Sequence, residues 1–427
     1  MISSIDDHLS ALYRLRRFGI QLGLTTISRL MKGLGNPEDQ YACIHVAGTN
    51  GKGSVASFLS SVLVCAGYKV GLYTSPHLIR FNERIQINGN SISDNDVAGA
   101  AEAVQRIYTQ GEPPTFFECA TAMALYHFAV KKVNWAVLET GMGGRYDATN
   151  VVRSQACVIS NISMEHTEYL GHTLKRIAAE KAGIIKENAG VVTGTRQKSA
   201  LQVIEQAATE KGVPLLRIGK EIKVHKSTHG RFTCLGKAHT WQGLKAGLLG
   251  DHQMINAALA LGALELLMEK GLEVTDEAIY KGLAQTRWPG RLEAVSTDPF
   301  VLLDGAHNPS AVKTLKAYLK NRVVYRRLIL VLGILKDKAW RPMLRELAGI
   351  SHRMILTRPQ YERAADPADL SSFVRCLKQD FVVIPHLVDA ISLALDEAGH
   401  GDLVCITGSL YTVGEAKAYF ENSYATS

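Results

Sequence analysis

A six-residue run with no formal charge, Ala42–Ala47, leads straight into Gly48-Thr49-Asn50-Gly51-Lys52-Gly53-Ser54, and Val55, Ala56, Phe58 and Leu59 follow as the start of an apolar helical pattern. A short apolar strand that feeds a glycine turn and then a helix is the opening of a parallel α/β layer, whose strands are covered on both faces. It is also a place where a phosphate can sit. Glycines let backbone N–H groups turn inward, Lys52 adds a point charge, and the helix N-terminus supplies partial positive charge. Gly53 separates Lys52 from the hydroxyl of Ser54, so the spacing departs from the strict phosphate-loop pattern. A plain glycine-rich strand-to-helix turn is the alternative, and the strand before and the helix after it favour phosphate binding.

The rest of the chain repeats this alternation. Near-continuous apolar runs at 69–73, 135–139, 156–162 and 191–194 predict further strands of one sheet, and helical patterns fall at 54–66, 94–108, 117–131 and 174–185. Between 215 and 241 short polar-apolar alternations (221–224, 231–234, 239–241) predict a small antiparallel β patch, and a helix follows at 254–268. The periodicity breaks around Trp288-Pro289-Gly290-Arg291, and a second α/β series begins, with strands at 301–303, 328–332, 353–357, 381–384 and 402–407. At 427 residues the chain exceeds what one hydrophobic core usually organises. Two domains are therefore expected, 1–290 and 291–427, with the boundary inside 288–296. The fold class is α/β: a P-loop-type, mostly parallel sheet domain with a small β patch, plus a second Rossmann-like α/β domain.

Composition narrows the function classes. The balance of 48 basic and 40 acidic residues leaves a net charge of +8. No Lys/Arg run reaches five residues, so an anionic small molecule explains the surplus as well as nucleic acid does, and no nucleic-acid partner is expected. No apolar stretch reaches spanning length, so no membrane partner is expected. Residues 1–15 carry Asp6, Asp7 and Arg14 and lack the apolar core of a signal peptide. The seven cysteines are scattered, without a C-x-x-C pair, and read as free thiols of a reducing compartment, which places the chain in the cytoplasm.

Three further constellations could carry chemistry. Ser75, Glu139, His166 and Lys181 are candidate partners of a hard cation, and Glu139 and His166 fall just beyond strand ends, the edge at which open α/β sheets bind ligands. Gly141-Met142-Gly143-Gly144-Arg145-Tyr146-Asp147-Ala148-Thr149-Asn150 suits a loop whose backbone approaches a ligand, or an Arg–Asp structural clamp. Asp304-Gly305-Ala306-His307-Asn308-Pro309 follows a strand and opens a helix; it suits a ribose and a phosphate, or a simple N-capping loop.

Taken together with Thr74-Ser75-Pro76-His77-Leu78, Phe81-Asn82-Glu83-Arg84, Thr115-Phe116-Phe117-Glu118, Glu180-Lys181-Ala182-Gly183, Pro289-Gly290-Arg291, Lys336-Asp337-Lys338 and Thr407-Gly408-Ser409-Leu410, these motifs resemble the folylpolyglutamate synthase/dihydrofolate synthase family of Mur ligases over most of the chain. The resemblance implies an ATP-binding central domain, a C-terminal glutamate-ligase domain, and ligation of L-glutamate to 7,8-dihydropteroate or reduced folates through an acyl phosphate. It implies that Thr49, Asn50, Gly51, Lys52, Gly53 and Ser54 hold ATP phosphates, with Lys52, Lys181 and His307 as the catalytic groups. Asn256 would meet the adenine, Arg291 and His307 the phosphates, and Asp304 the ribose. Ser75 and Glu139 would hold one Mg²⁺, and His166 and a carbamylated Lys181 a second. Thr115, Phe116, Phe117, Glu118, Tyr146, Asp147 and Ala148 would line the pterin site, with Phe117 stacking and Asp147 accepting from ring N–H groups.

One departure stands beside the second metal: Glu165 precedes His166 where the family usually has Asp. Three alternatives share parts of the pattern. A cell-wall Mur ligase would carry a separate domain ahead of the phosphate loop, for which a loop at Gly48 leaves no room. A P-loop NTPase switch would explain Lys52 but not His166, Lys181 or the second domain. A monofunctional folylpolyglutamate synthase would keep every motif. A monomer acting on small molecules is the expected form.

Overall fold

The computed structural model describes residues 5–15, 19, 21, 23–108, 113–227 and 230–425. Residues 1–4 of the expected leaderless N-terminus, and 228 and 229 within the expected β patch, lie outside the described residues. The chain divides into two compact units: Met1–Pro76, Phe81–Gly247 and Gln253–Arg287 form the first, and His77–Arg80, Leu248–His252 and Trp288–Ser427 the second. The α/β class read from the sequence holds in both.

In the first unit the strands are β1 (Ala42–Ala47), β2 (Val70–Tyr73), β3 (Ile85–Ile87), β4 (Asn90–Ser91), β5 (Trp135–Glu139), β6 (Ala156–Ile159), β7 (Gly190–Thr193) and β8 (Leu215–Arg217). They form one eight-stranded sheet in the order β4-β3-β2-β5-β1-β6-β7-β8. Strands β2 to β8 of that order run parallel, and β3 and β4 add an antiparallel edge. Strand β1 lies between β5 and β6, with Val46 level with Glu139 and Ala47 level with Ile159. Side chains alternate across the sheet. Cys43, Ala136 and Leu138 pack with the helix Phe116–Val130, and Cys157, Ile159 and Val191 with the helices Leu174–Ala182 and Lys198–Glu210. The helix Asp251–Met268 is apolar almost all round and buried, the mark of a core helix.

Several elements differ from the sequence expectation. Leu215–Arg217 joins the main sheet beside β7 instead of the patch, because a tertiary pairing fixes a run too short to declare itself. The patch is β9 (Lys223–Lys226), β10 (Arg231–Leu235) and β11 (Thr240–Lys245). Its first strand starts later than expected because the Glu221 carboxylate turns back to accept from the backbone N–H and Nε of Arg217, at 3.0 and 2.9 Å. The edge strands β3 and β4 and the helices Lys198–Glu210 and Asp276–Gln285 went unread in the sequence.

In the second unit β12 (Glu293–Thr297), β13 (Phe300–Asp304), β14 (Leu328–Gly333), β15 (Arg353–Arg358), β16 (Phe381–His386) and β17 (Leu403–Thr407) form a six-stranded sheet in the order β12-β13-β17-β14-β15-β16. All neighbours are parallel except the β12–β13 hairpin. Apolar clusters cover both faces, Leu302, Leu330 and Leu356 on one and Val301, Val331 and Ile355 on the other. Among the described residues no helix is long and apolar enough to cross a membrane.

The β10–β11 turn hangs on one buried carboxylate. Glu265, fully buried in the helix Asp251–Met268, accepts from the backbone N–H groups of Lys237, Ala238 and His239 at 2.8, 2.7 and 2.8 Å. Glu265→Ala leaves those donors without their acceptor and is expected to destabilise the protein by about 3 kcal/mol. Glu265→Gln, which keeps one acceptor oxygen, is expected to lose less, and thermal melts of the two variants check the order.

Candidate active site

Strand β1 ends at Ala47 and the chain turns through residues 48–51 into the helix Lys52–Cys65. Gly51, the N-cap, holds a left-handed φ of 83°, and a Cβ there would stand 2.6 Å from Asn256 Oδ1, so only glycine fits. The segment after β6 clamps the turn from outside. The Asn161 carbonyl accepts from Thr49 N–H at 2.9 Å. Its Oδ1 accepts from Asn50 N–H at 3.1 Å. Ser160 Oγ and Asn161 Nδ2 donate to the Asn50 carbonyl at 2.7 and 2.9 Å. From the helix Asp251–Met268, Gln253 Nε2 donates to Ser54 Oγ at 3.3 Å, and Asn256 Nδ2 donates to Gln253 Oε1 at 2.9 Å. The first N–H groups of a helix have no partner within it, so this start offers donors to an anion.

Charges converge on the same turn. Level with the end of β1, buried Glu139 places Oε1 3.9 Å from Lys52 Nζ and accepts from Ser75 N–H at 3.3 Å on Oε2. Lys181, near the end of the helix Leu174–Ala182, is buried and donates from Nζ to the Gly48 carbonyl at 2.7 Å. Burial and the neighbouring Lys52 pull its pKa down to about 7, against an upward pull from Glu165 and Asp147. His166 holds a left-handed φ of 50° and pairs with Glu165 at 3.8 Å. Among the described residues no three His, Cys, Asp or Glu side chains gather as a ready cation cage. The turn gathers the Glu139 carboxylate, the hydroxyl residue Ser75, the Lys52 ammonium and the Lys181 amine held low in proton affinity.

A second group forms around the glycine loop. Thr115 caps the helix Phe116–Val130 in a reciprocal box with Glu118: Glu118 N–H donates to Thr115 Oγ1 at 3.2 Å, and Thr115 N–H and Oγ1 both donate to Glu118 Oε2 at 2.8 Å. Phe117 packs so closely on the loop that a Cβ at Gly141 would lie 2.5 Å from its ring, and it tilts against Tyr73 at 6.1 Å. Phe116 turns to a separate aromatic cluster, stacked on Tyr13 and edge-on to Phe81, with the Arg84 guanidinium 5.1 Å from its ring centre. Asp147 is buried and accepts from Met142 N–H at 2.8 Å, Thr149 N–H at 3.1 Å and Thr149 Oγ1 at 2.5 Å. Burial raises its pKa against those hydrogen bonds. Tyr146 is exposed and Ala148 is buried at the start of a short 3₁₀ turn. The Arg–Asp clamp allowed by the sequence is not what forms: Arg145 donates its N–H to the Glu180 carbonyl at 2.7 Å and sets its side chain toward the Glu180 carboxylate at 3.9 Å.

In the second unit Asp304 ends β13, buried, and its two oxygens accept from Leu292 and Ala306 N–H at 3.0 Å each. Burial raises its pKa while Arg291 opposes the rise. Arg291 Nη1 donates to the Gly290 carbonyl at 3.3 Å, His307 Nδ1 lies 2.8 Å from the Gly305 carbonyl, and Asn308 caps the helix Pro309–Arg322. The N-capping role and the buried-acceptor role thus coexist in one loop.

Sequence reasoning passed over Ser160, Asn161 and Gln253, which shape the phosphate turn, and His45; Thr149 beside Asp147 stood within the glycine-loop motif without a role of its own. Ser160-Asn161 just past strand β6 was the available signal, since polar residues at a carboxyl edge serve loops there.

Comparison with known proteins fits this geometry. Residues 46–264 match the family model described as Mur ligase middle domain, and 290–410 the one described as Mur ligase, glutamate ligase domain. A dihydrofolate synthase/folylpolyglutamate synthase of Bacillus subtilis is 37% identical, covering 98% of this chain and 99% of the relative. The structure of E. coli FolC in complex with DHPP and ADP superposes with a TM-score of 0.92 at 32% identity, over 99% of each chain. A folylpolyglutamate synthase structure from Thermotoga maritima gives 0.86 at 38% identity, over 97% of each chain. The chain therefore belongs to the Mur ligases, ATP-dependent ligases, and within them to the dihydrofolate synthase/folylpolyglutamate synthases.

With Lys52 at the first helical position and 3.9 Å from Glu139, Lys52→Ala is expected to lower the ligation rate about 10²–10³-fold. An unchanged melting temperature alongside that loss checks that the effect is charge and not folding.

Proposed function

We propose that this enzyme joins L-glutamate to the carboxylate of 7,8-dihydropteroate and, as a second activity, to reduced folates already carrying glutamate. One observation carries the reading above the others: the Gly48–Ser54 turn, Glu139 and the buried Lys181 meet at one sheet edge, with the Asp147 loop tied to the same helix end as Lys181 through the Glu180 carbonyl. A relative with this architecture, E. coli FolC, is known in complex with DHPP and ADP.

A carboxylate is a poor acyl donor. Its oxygen attacks the γ-phosphorus of ATP, ADP leaves, and the resulting acyl phosphate carries a good leaving group. The amine of L-glutamate attacks the acyl carbon, and the tetrahedral intermediate collapses to the amide with loss of phosphate. The backbone donors of 51–54 and the Lys52 ammonium hold the moving charge in place before and after transfer, while the N–H groups of Thr49 and Asn50, spent on Asn161, hold the turn in shape. Asn256 serves the adenine. Arg291 and His307 are assigned to phosphate and Asp304 to ribose on resemblance. Thr115, Phe117 and Asp147 orient the pterin, with Asp147 accepting from its ring N–H groups and Phe117 offering a face for stacking.

The oxygens of Ser75 and Glu139 suit Mg²⁺, which prefers oxygen, whereas His166 and an unmodified Lys181 offer nitrogen. Ser75 and Glu139 would hold one ion and His166 with Lys181 a second, and bound ions would offset phosphate charge. An ammonium cannot ligate a cation. Lys181, held near the neutral amine by burial, can add carbon dioxide through Nζ, lose a proton and become a carbamate with two oxygens. The reading places a monomer in the cytoplasm, in keeping with seven unbridged cysteines. Release of ADP with dihydropteroate and with a reduced folate, each with and without L-glutamate, tests it; release that ignores glutamate overturns it.

Two outcomes follow. Asp147→Ala is expected to weaken dihydropteroate binding by about 1.5–3 kcal/mol while ATP affinity stays near that of the parent, as separate titrations show. Lys181→Ala is expected to remove most turnover, and millimolar acetate to restore part of it by supplying the missing oxygens, with intact-mass measurement of the native protein showing the added carbon dioxide.

A further inference from the structure

Behind the Asp147 carboxylate stands a histidine that no step above uses. His45 lies in the middle of β1, fully buried, between Leu138 of β5 and Cys157 of β6. Its Nε2 is 2.8 Å from Thr149 Oγ1, and Thr149 Oγ1 donates to Asp147 Oδ1 at 2.5 Å. The three side chains form one hydrogen-bonded line from the centre of the sheet to the glycine loop, and Thr149 is itself fully buried.

The direction of that line follows from counting protons. A hydroxyl has one hydrogen, and an ionised carboxylate only accepts. With its hydrogen given to Asp147, Thr149 has only lone pairs left for His45, so His45 is the donor through Nε2–H. The other ring nitrogen, Nδ1, is then a bare acceptor, and among the described residues no hydrogen-bond partner meets it. A buried acceptor left unsatisfied is costly, and it is tolerated here beside a hydrogen bond that fixes the tautomer. Were His45 replaced by a group that cannot donate, Thr149 Oγ1 would lose the bond that pins it from behind, and a turn of the freed side chain would leave Asp147 Oδ1 the longer bond from Thr149 N–H, at 3.1 Å.

We propose that His45 is a positioning residue for the pterin end of the substrate: by donating to Thr149 it commits the Thr149 hydroxyl hydrogen to Asp147 Oδ1 and so fixes the orientation of the carboxylate that meets the ligand. The inference rests on Asp147 being the pterin acceptor. His45 sits three residues before the phosphate turn, yet its hydrogen bond runs toward the pterin loop, so its effect belongs to one substrate and not to ATP.

The test is a double-mutant cycle in the full-length enzyme, with KM for dihydropteroate, KM for ATP and kcat measured for each variant. His45→Leu is expected to raise KM for dihydropteroate about tenfold with kcat and KM for ATP within about twofold, and His45→Gln, which restores a donor, to recover most of the loss. Thr149→Val is expected to match His45→Leu, and Thr149→Ser to stay near the parent. In the Thr149→Val background His45→Leu is expected to add nothing. Additive effects, or parallel losses in all three constants, overturn the proposal. Should His45→Leu fail to fold, the Thr149 pair and His45→Gln carry the comparison: a Thr149→Val variant that binds dihydropteroate like the parent overturns it. Asp147→Ala separates the two readings. A normal KM for dihydropteroate in that variant removes Asp147 as the acceptor, and the inference with it; a raised KM there beside a normal one in His45→Leu removes His45 alone.

Discussion

The parallel register of β1 between β5 and β6 is the constraint on which the candidate site depends. Level pairing of Val46 with Glu139 and of Ala47 with Ile159 brings three strand ends to one line. From that line the turn at Gly48, the carboxylate of Glu139 and the polar segment Ser160–Asn161 emerge together. A shift of one residue would send every side chain to the opposite face. The apolar clusters on the two faces forbid it, so hydrophobic packing far from any ligand sets the geometry at the edge.

On that frame a local imbalance of charge is held in place. Lys52 and Lys181 approach the turn from different helices, and the nearest acid to Lys52 is Glu139 at 3.9 Å, longer than a close ion pair. Lys181 has a carbonyl as its hydrogen-bond acceptor, and burial costs it proton affinity. An amine in that setting is inexpensive to neutralise and costly to keep charged. The arrangement suits a ligand that brings its own negative charge, because bound phosphates would supply what the protein withholds. The stability of the free enzyme and its affinity for nucleotide are set against each other at this turn.

The sequence made much of this legible, and the reasons differ by element. Strands β1, β5 and β14 stand out because they are buried on both faces and therefore nearly continuous in apolar residues, His45 within β1 and Glu139 at the end of β5 excepted. The glycine turn was visible because its backbone shape excludes side chains, as at Gly51. The helix Lys198–Glu210 and the edge strands β3 and β4 were missed because half-exposed elements carry weaker patterns. Leu215–Arg217 was misplaced because three residues cannot say which sheet they join. For site residues the split is similar. Asp147 and Lys181 stand in motifs that the sequence displays, while His45 and Thr149 look in sequence like an ordinary strand residue and an ordinary turn residue. Their importance is a matter of which hydroxyl faces which ring, 104 positions apart in the chain, and no local pattern encodes that.

Asp147 and Asp304 show how one chemical device serves both units. Each is buried, each sits at the boundary of a regular element, Asp147 before a 3₁₀ turn and Asp304 at a strand end, and each spends oxygen lone pairs on nearby backbone N–H groups. Glu118 is built on the same principle but closes on its own N-cap, with Thr115 as both donor and acceptor. The difference lies in what else reaches the oxygens. Glu118 Oε2 takes two bonds from a single residue within one helical turn, a closed local ring. Asp147 takes its bonds from two points of the loop and one from a hydroxyl backed by a strand of the sheet. A carboxylate held from several directions keeps its orientation when a ligand arrives, and needs no rearrangement to bind it. The same bonds that make the loop a stable turn therefore make it a rigid acceptor, which is why structural and functional readings of this loop are not in competition.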